Sequence, residues 1–301
     1  MPTSDAPVLV TGATGQQGGA AARHLLAAGF PVRALVRNPA AAAARELAQA
    51  GVDLVRGDMT DLASLDVAMR GAHGVFSVQP TKGSAGTPAD FDTEDEVRMG
   101  VAVAEAARRA GVRHVVYSSV GGVERAPGIR RWHSKARIEA HLRALGLATT
   151  VLRPVRFMEN LYDPRAAIRD GVLTDVFHHD IPVQLIAADD IGAFAALAFA
   201  DPDRYLGRAV EIAGDELTMP RIAAAVAKAT GRPVVYQPLP RAALVDLDPD
   251  AVAGYDFGNG GGWRADIPAL RELRPQLQDF ATWLSKADTA AVFHTPPDEA
   301  H

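Results

Sequence analysis

The chain of 301 residues has no cysteine, which excludes disulfides, thiolate nucleophiles and cysteine-ligated metals in one step and fits a reducing compartment. It has no excess of basic charge either: 31 Lys and Arg stand against 36 Asp and Glu, interspersed, for a net charge of -5. A direct nucleic-acid or membrane surface, which needs clustered cations, is therefore not expected. No stretch approaches the roughly 20 apolar residues of a spanning helix. The opening "MPTSDAPVLV" lacks the basic segment and apolar run of a secretory leader, so a cytoplasmic location is the expectation. What is present is ordinary for a globular protein, with 48% apolar and 22% charged residues, and the length suits one large domain or two of usual size.

Short β-rich apolar runs alternate with Ala-rich helical stretches. Strands are expected at Val8–Thr11, Val32–Val36, Asp53–Arg56, Gly74–Val78, His114–Ser118 and Thr149–Leu152. Helices are expected near Gly18–Ala28, Ala40–Ala50, Leu62–Arg70, Asp95–Ala110 and His133–Leu145. This alternation predicts an α/β fold, a doubly wound parallel sheet of the Rossmann type, over residues 1–152. The five alanines from Ala40 follow Pro39, which suits a first helical turn. After Leu152 the alternation loosens, and later segments at about 183–214 are expected to return to the first domain. Asp189 or Asp190 is a candidate cap for the helix there. "GYDFGNGGGW", from residue 254, reads as a flexible or tightly turning loop, and residues 291–301 as a disordered tail.

Gly12, Gly15 and Gly18 stand in the spacing G-x-x-G-x-x-G between the first strand and the first helix. Glycines there let the backbone turn tightly and approach a pyrophosphate, whose charge faces the free N–H groups of the helix start; a purely structural tight turn is the alternative. An NAD site usually places an acidic residue about 20 positions on. Nineteen positions past Gly18 stands Arg37, whose guanidinium suits a 2'-phosphate through charge-assisted hydrogen bonds worth about 1.5–3 kcal/mol each. NADP(H) is therefore expected over NAD(H), against the alternative of a solvated surface arginine. Arg33 lies in mid-strand, where a solvated or salt-bridged role is the simpler reading.

The segments "VTGATGQQGG", "RALVRNP", "GDMTD", "VVYSS", "SKARIEAHLRALGLATTVLRPVRFMENL" and "DIGAFAALAF" together resemble the NmrA-like family, an atypical branch of the short-chain dehydrogenase/reductase superfamily. The resemblance runs from about residue 7 to about residue 290. It implies a Rossmann domain with a smaller α+β carboxy-terminal subdomain over 153–290, a dinucleotide across the sheet edge and a cleft between the two. It further implies that Gly12, Thr14, Gly15, Gln16, Gln17 and Gly18 cradle the pyrophosphate and that Arg37 and Asn38 take the 2'-phosphate. Asp58 and Met59 would flank the adenine, and Gln79 and Pro80 would sit near the inner ribose. Lys135 would bind ribose hydroxyls, and Phe157, Met158, Glu159 and Asn160 would lie beside the nicotinamide. The plainer readings are a turn residue for Asp58, and a core aromatic with a capping segment for "FMEN".

A typical superfamily reductase uses Y-x-x-x-K, in which a lysine one helical turn away lowers the pKa of the phenol. Here Lys135 is present but position 131 is an arginine, which cannot act as a general acid at neutral pH. The catalytic candidates are therefore Lys135, Ser119, Ser118 and His133, the last two residues from the lysine and so facing away from it on a helix. The serines also suit backbone satisfaction at a strand end, and Lys135 also suits a surface pair with Glu139. Tyr117 reads as a packed strand residue and Tyr162 as an outside donor. "FHHD", containing His178, His179 and Asp180, reads as a solvated loop; no metal is expected.

Two functions follow. One is a reductase moving hydride from NADPH to an apolar carbonyl, quinone or activated alkene, a quinone taking its protons from water; Phe157, Phe177, Trp263 and the glycine loop would line and cover the small-molecule cleft, or serve as ordinary core. The other is a non-catalytic NADP(H) redox sensor that regulates a protein partner.

Overall fold

A computed structural model describes residues 5–83, 87–163, 168–245 and 249–293. The expected alternation forms as β1 (Val8–Val10), α1 (Gln16–Ala27), β2 (Val32–Val36), α2 (Ala42–Gln49), β3 (Asp53–Arg56), α3 (Leu62–Met69), β4 (Gly74–Ser77), α4 (Thr93–Arg109), β5 (His114–Ser118), α5 (His133–Ala144) and β6 (Thr149–Pro154). Further on come β7 (Arg156–Phe157), β8 (Ile168–Arg169), β9 (Val172–Asp175), β10 (Pro182–Ile186), α6 (Ala188–Ala200), α7 (Pro202–Tyr205), β11 (Ala209–Ile212), β12 (Asp215–Thr218), α8 (Met219–Thr230), β13 (Val235–Pro238), α9 (Pro249–Asn259), α10 (Ile267–Leu273) and α11 (Phe280–Leu284). The chain divides into two compact units, one of residues 1–123, 130–153 and 188–210, the other of 124–129, 154–187 and 211–301.

The first unit carries a seven-stranded sheet in the order β11-β6-β5-β4-β1-β2-β3, with β1 to β6 all paired in parallel. The order reverses between β1 and β4, which makes the topological switch point of a doubly wound fold. Side chains alternate across each strand. Val115 and Tyr117 of β5 join Leu65, Val103, Ile138 and Leu142 of α3, α4 and α5 in one core. His114 points to the other face, where its ring meets Phe199 of α6 at 5.0 Å.

On that second face α1 and α6 pack backbone to backbone. A Cβ added at Gly192 would lie 2.3 Å from the carbonyl carbon of Ala20. Alanine is favoured over glycine in a helix by about 1 kcal/mol, but here the neighbour is another helix's main chain, which cannot turn aside. We expect Gly192→Ala to destabilise the protein by about 1–3 kcal/mol net, read by urea denaturation. A stabilised variant would contradict this packing.

Where the boundaries differ from expectation, hydrogen bonding decides. Helix α1 starts two residues early because Gly15 already serves as its N-cap. Helix α2 starts two residues late because Asn38 forms a turn, its Oδ1 accepting from Ala40 N and its carbonyl from Ala41 N. Helix α6 begins at Ala188, so Asp189 lies inside its first turn, paired with His24 and Arg23 of α1.

The second unit holds two three-stranded sheets, β12-β10-β7 and β13-β9-β8. Strand β10 therefore pairs here, with β12 and β7, and the return to the first unit starts at residue 188. Met158, Leu185, Ile222, Val226, Phe280 and Trp283 share its core. The glycine run expected as a loop is helical through Asn259 as the end of α9. Beyond it Gly261 turns at φ +70°, and Arg125 holds the Gly262 carbonyl at 2.8 Å while forking onto Glu211. Of the two forms expected for this run, flexible or tightly turning, the part beyond Asn259 takes the second, a turn tied by that clamp. Val292 is buried and Phe293 lies over the Arg232 guanidinium; residues 294–301 of the expected tail lie outside the described residues.

His114 gives the first unit an acid-sensitive joint. It is 3% exposed, its Nε2 lies 2.8 Å from Thr150 Oγ1, and burial, then the charge of His73, lowers its pKa from 6.5 to about 4. The folded state thus holds a neutral imidazole while the unfolded chain takes a proton at higher pH. The stability it contributes is present above about pH 6.5 and is lost as pH falls toward 4, by about 3 kcal/mol in all. Urea denaturation should show His114→Asn losing less stability than the wild type between those limits. Parallel pH profiles would sink the assignment.

Candidate functional site

The glycine loop follows directly from β1. Gly12 sits at φ +60°, a conformation strained for any residue with a Cβ, and a Cβ there would also meet Val78 Cγ1 at 2.9 Å. The Gly15 N–H closes the turn onto the Gly12 carbonyl at 2.9 Å. At Gly18 a Cβ would stand 2.3 Å from that same carbonyl oxygen. Helix α1 therefore begins hard against the strand end, with no side-chain cap and no acidic residue in its first turn. Its leading N–H groups are left for an anion. Thr14, Gly15 and Gln16 are exposed around it.

Thr11, which the sequence reading passed over, ties this loop to the end of β4. Its buried hydroxyl donates to the Val78 carbonyl and accepts from the Val78 N–H, both at 2.9 Å. Gln79 follows at once, buried, its amide N–H on Ser77 Oγ at 2.9 Å and its Oε1 without a protein partner. The amide also approaches Met59 Sδ at 4.0 Å. Asp58 is a turn residue, accepting from the Thr60 N–H and hydroxyl at 2.8 and 2.7 Å.

Arg37 and Asn38 stand exposed at the end of β2. Arg33 does not join them. It is spent on Asp53 and on the carbonyls of Ala68 and Arg70.

At the end of β5 the two serines part. Ser118 Oγ donates to Gln17 Oε1 at 2.6 Å, linking the strand end to the glycine loop. Ser119 Oγ donates at 2.5 Å to Glu139 of α5, which Arg153 of β6 grips with two further bonds of 3.1 and 2.7 Å. Glu139 is thus not the surface partner of Lys135. Lys135 instead reaches across to Glu96 of α4 at 2.5 Å, and the other oxygen of Glu96 accepts from Ser134 Oγ at 2.8 Å. Both lysine and glutamate are buried, Glu96 completely. Glu96 was legible only as one of three acids in the first turn of α4, where the helix dipole favours any of them. Tyr117 lies behind this pair, fully buried, its hydroxyl without a protein partner. Burial, with the charges of Glu96 and Glu139, pushes its phenol pKa well up, so it stays a neutral core residue. His133 is the first residue of α5 and is exposed; Arg131 beside it is exposed too.

Phe157, Met158, Glu159 and Asn160 belong to the second unit. Glu159 accepts the indole N–H of Trp283 at 3.0 Å. Phe157, Met158 and Asn160 line a cavity of about 10 Å³ with Leu185, Ile222 and Phe280, space for one water and no more. Tyr162 rests against Trp283 at 5.7 Å, and burial raises its pKa. His178 pairs with Tyr255 and Asn259, while His179 turns edge-on to Tyr236. The histidines diverge, and among the described residues no three metal-ligating side chains converge. Among those residues no helix is long and apolar enough to cross a membrane.

The NmrA-like family model matches residues 4–258. The chain belongs to the NmrA-like family. Within reach of this NmrA-like chain is a (4-alkanoyl-5-oxo-2,5-dihydrofuran-3-yl)methyl phosphate reductase of Streptomyces griseus, 34% identical over 300 residues, covering 95% of this chain and 99% of the relative. A nitrogen metabolite repression protein of Emericella nidulans is 28% identical over 264 residues, 82% and 71% of the two chains. Among solved structures, the NADPH-dependent quinone oxidoreductase QOR2 of Escherichia coli, complexed with NADPH, is similar with TM-score 0.76 and 26% identity, covering 93% of this chain and 99% of that one.

The ion pair sets a condition on any test of this NmrA-like site. Lys135→Ala leaves Glu96 buried without its counter-charge, at a cost of about 3–5 kcal/mol. Replacing both, as Glu96→Gln with Lys135→Met, removes the charges together and should recover most of that loss in urea denaturation. A single alanine variant as stable as the wild type would show that the pair is not closed in solution.

Proposed function

We propose that the protein is a cytoplasmic NADPH-dependent reductase that delivers hydride to an apolar carbonyl, quinone or activated alkene without the usual catalytic tyrosine, with the conjugated acceptors preferred. The glycine loop carries this reading. Its positive-φ turn, its backbone contact at Gly18 and its uncapped helix start fit a pyrophosphate between Gly12, Thr14, Gly15, Gln16, Gln17 and Gly18. Arg37 and Asn38 are the groups we assign to the 2'-phosphate, a reading supported by their exposure where β2 ends. Asp58, Met59, Gln79 and Pro80 complete the adenosine side, and the unpartnered Gln79 Oε1 offers an acceptor to a ligand N–H or O–H. Lys135 and Ser119 follow β5, in the half of a doubly wound fold that holds the nicotinamide nucleoside. Phe157 to Asn160 are assigned to the nicotinamide on family resemblance alone.

Bound NADPH supplies the hydride. The chain's own part is to bind, orient and keep protons in place. Arg131 stands where a phenol would serve, and the Ser119 proton is held by Glu139, so an incoming oxygen meets lone pairs there and no acid. Acceptors that draw their proton from water after hydride arrival suit such a site. The relative from Streptomyces is named for a ring whose double bond bears carbonyl groups, and the QOR2 neighbour for a quinone. The partner we assign is accordingly a small molecule, with no nucleic acid.

NADPH oxidation by the purified protein across quinones, enones, aldehydes and ketones tests the reading. Turnover should be found with the first two classes and should exceed that with simple carbonyls. Tight NADPH binding with no oxidation across the panel would overturn it in favour of a redox sensor with a protein partner; the Emericella relative is named for repression and not for a reaction. Separately, Arg37→Ala should weaken NADPH binding about tenfold or more and leave NADH nearly unchanged. Equal affinity of the wild type for both would remove the 2'-phosphate assignment.

A further inference from the structure

We infer that Glu96 is a positioning residue: it fixes the Lys135 ammonium for the nicotinamide half of the cofactor, an assignment that rests on the reductase or dinucleotide-binding reading of Lys135. The geometry is built for this one contact. Glu96 and Gly100 lie four residues apart and so share a face of α4. A Cβ at Gly100 would stand 2.4 Å from Ile138 Cδ1, so the missing side chain is what lets α5 approach. That approach carries Ser134 and Lys135, one turn before Ile138, onto Glu96. The carboxylate is held at both oxygens, by Lys135 Nζ at 2.5 Å and by Ser134 Oγ at 2.8 Å, and is fully buried. Its own freedom is gone. A long, flexible lysine tethered to such a point loses most of its rotamers before any ligand arrives, while its ammonium keeps two further N–H donors to offer. About 10% of the lysine side chain remains exposed against none of the glutamate, which is the asymmetry expected when the acid supports and the base makes contact.

A surface salt bridge would need neither the second anchor nor the glycine that admits it, whereas a purely structural buried pair would need both, so the two halves of the ligand must separate that case. If Glu96 acts through Lys135, disturbing it must weaken the nicotinamide half of the ligand and spare the adenosine half, which Arg37 serves. Adenosine 2',5'-bisphosphate carries only the latter and is the reference probe.

The test compares dissociation constants of NADPH and adenosine 2',5'-bisphosphate by calorimetry, with thermal melts to verify folding. Glu96→Asp draws the carboxylate back by one carbon, about 1.5 Å, and keeps the charge. NADPH should weaken about fivefold or more while the bisphosphate holds within about twofold. Ser134→Ala releases one oxygen of Glu96 without breaking the ion pair and should move NADPH in the same direction by about twofold; it decides the matter if the aspartate variant does not fold. The charge-free pair Glu96→Gln with Lys135→Met is the lysine-less reference. Should that pair keep the wild-type ratio of the two affinities, Lys135 does not hold the cofactor and the proposal falls with that reading. Should the pair lose the ratio while Glu96→Asp and Ser134→Ala keep it, only Glu96 is wrongly assigned. Equal weakening of both ligands in the aspartate variant would mark a structural role and overturn the proposal.

Discussion

The first unit depends on the contact between the start of α1 and the end of β1, made with no side chain between them. Gly18 lies so close to the Gly12 carbonyl that any Cβ would overlap it, and on the opposite side of α1 Gly192 admits α6 against the Ala20 main chain. Helix α1 is therefore seated by backbone on two sides. Its axis cannot tilt without breaking one contact or the other, since close-packed interiors transmit such shifts and do not absorb them. The direction in which its free N–H groups point is set by that seating, and Thr11 extends it to β4 by joining the two strand ends that bracket the switch point. A site that must hold a doubly charged pyrophosphate gains from rigid donors, because donors already in place cost nothing to order when the ligand binds.

A second constraint is electrical. Behind β5 lie two buried carboxylates, Glu96 and Glu139, each answered by one cation, Lys135 and Arg153. The buried set is neutral as a whole, which is the condition for keeping four ionised groups out of water. Well-packed apolar residues would serve stability as well or better, so stability alone does not explain the arrangement. What the charges add is direction: each carboxylate fixes a group that follows the carboxyl end of β5, a hydroxyl at Ser119 and an ammonium at Lys135.

Much of this could be read from the chain. Every strand from β1 to β6 lies where the alternation put it, because the central parallel strands, buried on both faces, leave a continuous apolar signal, and the half-buried edge strand β3 follows from its place in the β-α alternation. The glycine spacing and the Arg37 position were likewise visible, being local in sequence. The second unit was less legible. Its strands are two to five residues long and pair across gaps that no periodicity reports. The fate of the glycine run from residue 254 turned on Arg125 and Glu211, remote in sequence from the run they hold. The same applies to Lys135: i,i+4 spacing suggested Glu139, whereas the partner lies on another helix, 39 residues away. Local rules found the residues that matter here, and long-range packing chose their partners.

That choice bears on where protons come from. In the first unit the groups that a reductase of this superfamily would turn to its substrate are committed inward. Ser119 gives its proton to Glu139, Ser118 gives its own to Gln17, and the Tyr117 phenol is sealed in the core with its pKa raised by burial. The lysine retains N–H donors beside the one that Glu96 takes. On the proposed reading, a site so arranged would stabilise little negative charge on a simple carbonyl oxygen as hydride arrives. Acceptors that spread this charge over a conjugated system need less from the protein, since delocalisation does within the substrate what an acid would otherwise do beside it. The inward commitment of the donors is thus the structural ground for the proposed preference for conjugated acceptors.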